Sequence, residues 1–164
     1  MIAAKPPRNE ARRLEALRQY GVLDTPPESA LNEITALAAQ ICDTPMATIC
    51  FIDEDRQWFK ERVGIKKSEM PRDISVCSHA VHQRSLFIVP DLSRDERFAG
   101  NPLVTGEPRI RFYAGSPIML NDGSCVGTVS LIDTRPRWID EPDLQLLEDL
   151  RDLAAVEMER LVPR

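Results

Sequence analysis

Thiols and imidazoles are the side chains best able to act as nucleophiles, proton carriers or soft-metal ligands near neutral pH. This sequence has four cysteines (Cys42, Cys50, Cys77 and Cys125) and two histidines. Cys77, His79 and His82 fall together in "PRDISVCSHAVH". Their spacing limits the chemistry. On a helix of ~3.6 residues per turn, residues two apart point about 200° apart, so one metal ion does not readily take both Cys77 and His79. His79 and His82 can share a face, but no cysteine or acidic cluster at metal-ligand spacing completes a site. The expectation is no metal, with solvated or hydrogen-bonded histidines. Ile74, Cys77 and Val81 follow at i, i+3 and i+7, which places Cys77 on an apolar face, as a core thiol or as the lining of a cavity. Arg72 and Asp73 offset one another, and nothing else nearby in sequence activates the thiol. Asp53, Glu54 and Asp55 sit in a turn and read as solvated, and no Gly-rich phosphate loop is present.

The chain that must position these residues has 164 residues, enough for one domain with a full core. Its 26 acidic and 21 basic residues leave a net charge of −5, and no Lys or Arg run offers a nucleic acid a footprint. No apolar stretch approaches the ~20 residues of a membrane span, and "MIAAKPPRNEARR" lacks a signal-peptide core. Without a C-x-x-C pair, the cysteines read as reduced thiols of a cytoplasmic protein. The terminal "LVPR", residues 161–164, resembles what thrombin leaves after cutting a tag; a natural terminus is the alternative.

Asn9 can cap a helix through Tyr20, with Leu14 and Leu17 on its stripe and Gly21 at its end. A second helix is expected over about 30–43, with Leu31, Ile34, Leu37, Ala38 and Ile41 on its buried face. "MATICFI" and "QWFKERV" read as a hairpin turning at Asp53–Arg56, with Phe59 and Val63 on one face and Lys60 and Arg62 on the other. A short helix follows, capped by Asp73, then a strand "LFIV". The long polar segment "DLSRDERFAGNPLVTGEP" has room for one or two helical turns. "IRFYAGSPIML" and "SCVGTVSLID" form a second hairpin across "NDGS". Asp140 caps a terminal helix, with Pro142 in its first turn. The fold class is α+β: a central antiparallel sheet, with the terminal helices on one face and the short helix and long loop on the other, where irregular segments favour a pocket.

Five stretches carry a specific resemblance: "NEARRLEALRQYGVLDTPPE", "DEDRQWFKERVG", "PRDISVCSHAV", "NPLVTGEPRIRFYAG" and "GTVSLID". With the element order, they resemble the GAF domain family over about residues 9–160, in particular bacterial signalling members found with diguanylate cyclases, phosphodiesterases and histidine kinases. The resemblance implies a single non-enzymatic sensory domain, without a resident cofactor, that binds a small molecule and signals to an effector domain. A dimerisation and transduction module without ligand is the alternative. Some GAF proteins reduce free methionine sulfoxide with a nucleophilic cysteine in the strand resembling "IRFYAGS"; here Phe112, Tyr113 and Ala114 stand there, and Cys77 matches only the helper position. Phytochrome motifs around a bilin-bearing cysteine are absent.

The pocket candidates are Phe51, Tyr113, Ser116 and Ser130 from strands, Cys77 and Phe98 from the cover, and Asp91 and Arg111 as charged groups. Strand alternation lets at most one of Phe112 and Tyr113 face the pocket. The terminal helix repeats apolar residues at Leu147, Leu150, Ala154, Met158 and Leu161, the spacing of a helix–helix seam. From this we expect a parallel homodimer with Leu150, Ala154, Met158 and Leu161 at the contact, and the first helix packed alongside.

Overall fold

The computed structural model describes residues 1–161, with side chains through residue 160. The expectations for Leu161 as a dimer contact and for the terminal "LVPR" therefore lie outside the described side chains. Helix α1 (Glu10–Tyr20) stops at Gly21, whose φ of 77° lets its N–H return to the carbonyls of Leu17 and Arg18. Helix α2 (Ser29–Ile41) follows, then strands β1 (Met46–Ile52), β2 (Arg56–Val63) and β3 (Glu69–Pro71), the short helix α3 (Cys77–Ala80) and strand β4 (Phe87–Val89). After these come α4 (Pro102–Thr105), β5 (Phe112–Met119), β6 (Cys125–Asp133) and α5 (Glu141–Leu161). The strands form one antiparallel sheet of six in the order β3-β2-β1-β6-β5-β4. The expected α+β architecture is the observed one.

Two apolar layers sandwich the sheet. Ile49, Phe51, Phe112, Val129 and Leu131 pack under α1, α2 and α5. Cys50, Ile52, Phe59 and Tyr113 pack under a cover built from α3, the 3-10 turn Leu92–Arg94 and α4. Period-two alternation along each strand makes this division. It settles the aromatic pair: Phe112 faces the helices and Tyr113 faces the cover.

Three local expectations are corrected. On α2, Leu37 and Ile41 are 43% and 50% exposed, and the buried face is Leu31, Thr35, Ala38 and Ala39. The stripe follows small residues that let α2 approach the sheet and α5, and Thr35 satisfies its hydroxyl on the Leu31 carbonyl at 2.7 Å. On β2, Phe59 and Val63 face opposite ways, because the register with β1 slips between Ile49 and Cys50 and passes over Lys60. A bulge of one residue inverts the alternation beyond it. The displaced Lys60 is buried and donates to Thr25 Oγ1 at 2.8 Å and the Pro26 carbonyl at 2.5 Å. Asp73 does not cap the cover helix; Ser75 Oγ accepts from the Ser78 N–H at 3.1 Å. Helix α1 lies on β6, and its Leu17 and Tyr20 share one core cluster with Leu147, Leu150, Ala154 and Met158 of α5.

Candidate functional site

The cover-facing side of β1, β5 and β6 carries a polar cluster inside an apolar layer. Cys50 from β1, Thr128 and Ser130 from β6, and Tyr113 from β5 point up, and Cys77 enters from the first turn of α3. The Tyr113 hydroxyl lies 3.0 Å from Cys77 Sγ, to which it donates, and 2.9 Å from Ser130 Oγ. Thr128 Oγ1 donates to Cys77 Sγ at 3.4 Å, is 3.3 Å from Cys50 Sγ and 2.6 Å from Ser130 Oγ. Gln57 Nε2 donates to Cys77 at 3.4 Å, and its carbonyl oxygen accepts from Ser75 Oγ, which anchors the start of α3 on β2. Tyr113 reaches Cys77 because Gly115, next on the same face of β5, has no side chain: a Cβ there would lie 2.3 Å from the phenol oxygen.

Among the described residues the partners of Cys77 are neutral: Tyr113, Thr128 and Gln57 donate to its sulfur, and Ser130 Oγ lies 3.7 Å away. Burial opposes ionisation of this thiol, but hydrogen bonds from Cys50, Thr128, Tyr113 and Ser130 outweigh it and draw its pKa below the ordinary value. The activation comes from residues far away in sequence, which is why the Arg72–Asp73 neighbourhood gave no sign of it. Burial, with Cys77 beside it, pushes Cys50 well up. Cys42 and Cys125, chiefly through burial, are pushed up to about 11. Directly across from Ser130 on β1, Thr48 is fully buried and its hydroxyl has no hydrogen-bond partner among the described residues.

Among the expected pocket residues, Cys77, Tyr113 and Ser130 meet in this cluster, and Phe98 packs in the same layer. Phe51 does not: it turns to the helix face, its ring centroid 6.5 Å from Tyr20 and from Trp58. Ser116 is on that face too, accepting from Arg151 of α5 at 2.9 Å. Both have the wrong strand parity for the cover side. Asp91 caps the 3-10 turn through the Ser93 N–H at 3.0 Å. Arg111 donates to the Val104 and Ile110 carbonyls, both at 3.0 Å, and so braces α4. Cys50, Gln57, Ser75 and Thr128 were missed as site residues. The usable signal was the pair Thr128 and Ser130, two apart on an otherwise apolar strand.

The histidines lie at the outer surface of the cover. His79 Nε2 is 3.1 Å from the Ile2 carbonyl and His82 Nε2 is 2.5 Å from the Lys5 carbonyl, so both hold the N-terminal segment. His79 also meets Phe98 edge-on at 4.7 Å.

The motif residues outside the cluster form joints. Glu10 accepts from Arg13 at 2.9 Å and from Arg72 at 2.6 Å. Arg13, fully buried, also donates to the Ile52 carbonyl at 2.7 Å, and Arg72 to the Asp53 carbonyl at 3.1 Å. One carboxylate thus joins α1, the β1–β2 turn and the root of the cover. Arg56 bridges Asp24 and Asp53, at 2.9 and 3.1 Å, and Asn101 caps α4 while donating to the Ile74 carbonyl at 2.9 Å.

The stripe on α5 is internal. Leu147, Leu150, Ala154 and Met158 are buried in the chain's own core, so Leu150, Ala154 and Met158 are not free to meet a partner. Leu153 and Val156 point outward at 56% and 61% exposure, as do Leu37 and Ile41 on α2, which packs on α5. Among the described residues, no helix is long and apolar enough to cross a membrane.

Residues 26–158 match the GAF domain family, and the chain belongs to it. It is 36% identical over 156 residues to a cyclic di-GMP phosphodiesterase of Pseudomonas aeruginosa, an alignment that covers 94% of this chain and 27% of that protein. The chain thus spans about a quarter of the length of that curated relative. The GAF domain of an Acinetobacter phosphoenolpyruvate-protein phosphotransferase superposes with a TM-score of 0.68 at 16% identity, over 93% of this chain and 94% of that one. Free methionine-R-sulfoxide reductase from Neisseria meningitidis superposes at 0.64 with 18% identity, over 97% and 95% of the two chains. At these identities the structural likeness speaks for the fold alone.

Proposed function

We propose that this GAF domain is a non-enzymatic sensory module that takes a small polar molecule at the Cys77 cluster beneath α3 and passes its occupancy to an effector through the terminal helices. The observation that carries this reading is Thr48. A buried hydroxyl without a partner costs about 1–3 kcal/mol, and this one stands across from Ser130 in a cluster whose other members satisfy one another. A hydrogen-bonding ligand atom beneath the cover would complete it. The motif joints give the signal a route, since Glu10 ties the root of the cover to α1. The ligand shifts an equilibrium only as far as it prefers one arrangement of these joints. The likeness to the phosphodiesterase supports an effector of cyclic di-GMP turnover, and four free thiols suit the cytoplasm, where a disulfide forms at most transiently.

Native mass spectrometry of the purified chain, with a thermal-shift panel of nucleotides, cyclic dinucleotides and amino acids, tests this reading. A bound mass, or a stabilisation that is smaller in Thr48→Val, is the expected result. No bound mass and no shift, together with a Thr48→Val variant more stable than the wild type, would assign the domain to the second reading, a transduction module closed without ligand. The completeness of the Tyr113, Thr128 and Ser130 hydrogen bonds favours that reading. We further propose a parallel homodimer whose contact is the outward apolar residues Leu37, Ile41, Leu153 and Val156. Sedimentation at tens of micromolar should show a dimer that Val156→Glu dissociates, and a concentration-independent monomer would overturn it.

A further inference from the structure

Cys50 and Cys77 converge on one hydroxyl, with Thr128 Oγ1 at 3.3 Å from the first sulfur and 3.4 Å from the second. They come from different layers: Cys50 from the middle of β1, Cys77 from the first residue of the cover helix. Both are buried, at 0% and 2% exposure, and both are free thiols. Neither of the two other cysteines bonds to Thr128 among the described residues. Cys42 is in the core under the terminal helices, and Cys125, at the far end of β6, contacts the Gly127 carbonyl at 3.7 Å.

We propose that Cys50 and Cys77 are a redox site: a hydroperoxide oxidises them to an intramolecular disulfide that fastens α3 to the sheet, and a dithiol reductant releases it. In the first step the Cys77 thiolate attacks the distal oxygen of the hydroperoxide. The O–O bond breaks, the alkoxide or hydroxide leaves and takes a proton, and Cys77 becomes a sulfenic acid. In the second step the Cys50 sulfur attacks Cys77 Sγ. The S–O bond breaks, and hydroxide leaves as water with the proton that Cys50 gives up. Two thiols have lost two electrons, and the peroxide has become an alcohol, or water, plus one water.

The order of attack follows from the surroundings. Cys77 is the thiol with the donors, from Tyr113, Thr128 and Gln57, so its anion is the stabilised one. Its lowered pKa agrees, and burial holds the other three thiols up. Access depends on the cover opening. α3 is only four residues long and is anchored at its start by Ser75 on Gln57, so a local opening exposes Cys77 without unfolding the sheet. A disulfide needs its sulfurs at ~2.05 Å, so Thr128 Oγ1 must turn aside. The bond links a sheet strand to the element that closes the site and so holds the cover shut, with or without a ligand.

The test uses the intact chain under native conditions. Hydrogen peroxide is added, remaining thiols are alkylated after denaturation, and the products are mapped under non-reducing conditions. The expected product has lost two of the four alkylatable thiols, carries a Cys50 peptide joined to a Cys77 peptide, melts several degrees higher and reverts with dithiothreitol. Cys50→Ser should stop at a sulfenic acid on Cys77 that a cyclic 1,3-dione traps. Cys77→Ser should leave Cys50 reduced, and Cys42→Ser should still form the bond. A linkage through Cys42 or Cys125, a bond only between chains, or thiols all retained at peroxide levels that oxidise free cysteine would overturn the proposal. The wild-type map decides the connectivity by itself, so a variant that fails to fold does not shelter it.

Discussion

Replacing Glu10 by glutamine removes the one charge shared by Arg13 and Arg72. Burial alone would raise the Glu10 carboxyl, but hydrogen bonds and charge from Arg13 and Arg72 reverse this and bring it from 4.5 to about 2. At about 1.4 kcal/mol per pH unit, that shift favours the folded state by roughly 3 kcal/mol. The side chain is 20% exposed, so solvent trims this to about 2–3 kcal/mol. The folded pKa is depressed. The stabilisation is therefore complete above the unfolded value of 4.5 and is lost as pH falls towards about 2. Arg13 adds to the cost, because it is fully buried and would keep only a neutral partner and the Ile52 carbonyl. Urea titrations of wild type and Glu10→Gln should differ by about 2–3 kcal/mol near pH ~7 and by roughly half that near pH ~3. A difference below about 1 kcal/mol, or one unchanged between those pH values, would refute the view that this carboxylate holds the joint.

Three further outcomes follow from the packing. Gly115→Ala places a methyl group 2.3 Å from the Tyr113 hydroxyl, so it should destabilise by about 1–3 kcal/mol, and much less in a Tyr113→Ala background; additive costs in the double variant would show that the phenol does not lie over Gly115. Tyr113→Phe removes the donor to Cys77 and a hydrogen-bond partner of Ser130, so it should cost about 1–2 kcal/mol by chemical denaturation and raise the Cys77 pKa, read from the pH dependence of thiol alkylation; an unmoved alkylation profile would remove Tyr113 from the thiol's activation. Leu31→Ala should cost about 2–5 kcal/mol and Leu37→Ala under about 1 kcal/mol, which thermal or urea unfolding resolves; the reverse order would restore the helix register expected from apolar residues alone.

Element order and type were legible in the chain because they rest on local signals. Gly21 ends α1, the Asp53–Arg56 turn joins β1 to β2 through the Asp53 N–H on the Arg56 carbonyl at 2.8 Å, and Asp140 caps α5 through the Asp143 N–H at 3.1 Å. β3 escaped because its three residues carry no periodicity and owe their strand form to pairing with β2. The quoted motifs identified the family, yet spacing did not say what they do. Glu10, Arg13 and Arg72 turned out to be a joint, with Glu10 and Arg72 62 residues apart in sequence.

The face a side chain takes was decided by tertiary structure wherever parity or partners were non-local. A single bulged residue at Lys60 separated Phe59 from Val63. Parity counted within β1 and β5 turned Phe51 and Ser116 towards the helices, and Tyr113 and Cys50 towards the cover. The α5 stripe repeats as a seam would, but a helix lying on a sheet needs the same repeat, and only the neighbouring β5, β6 and α2 distinguish the two uses. The same holds for the thiol. Sequence placed Cys77 on an apolar face, and its lowered pKa depends on Cys50 of β1 and on hydroxyls contributed by β5 and β6, which the chain brings to it only on folding.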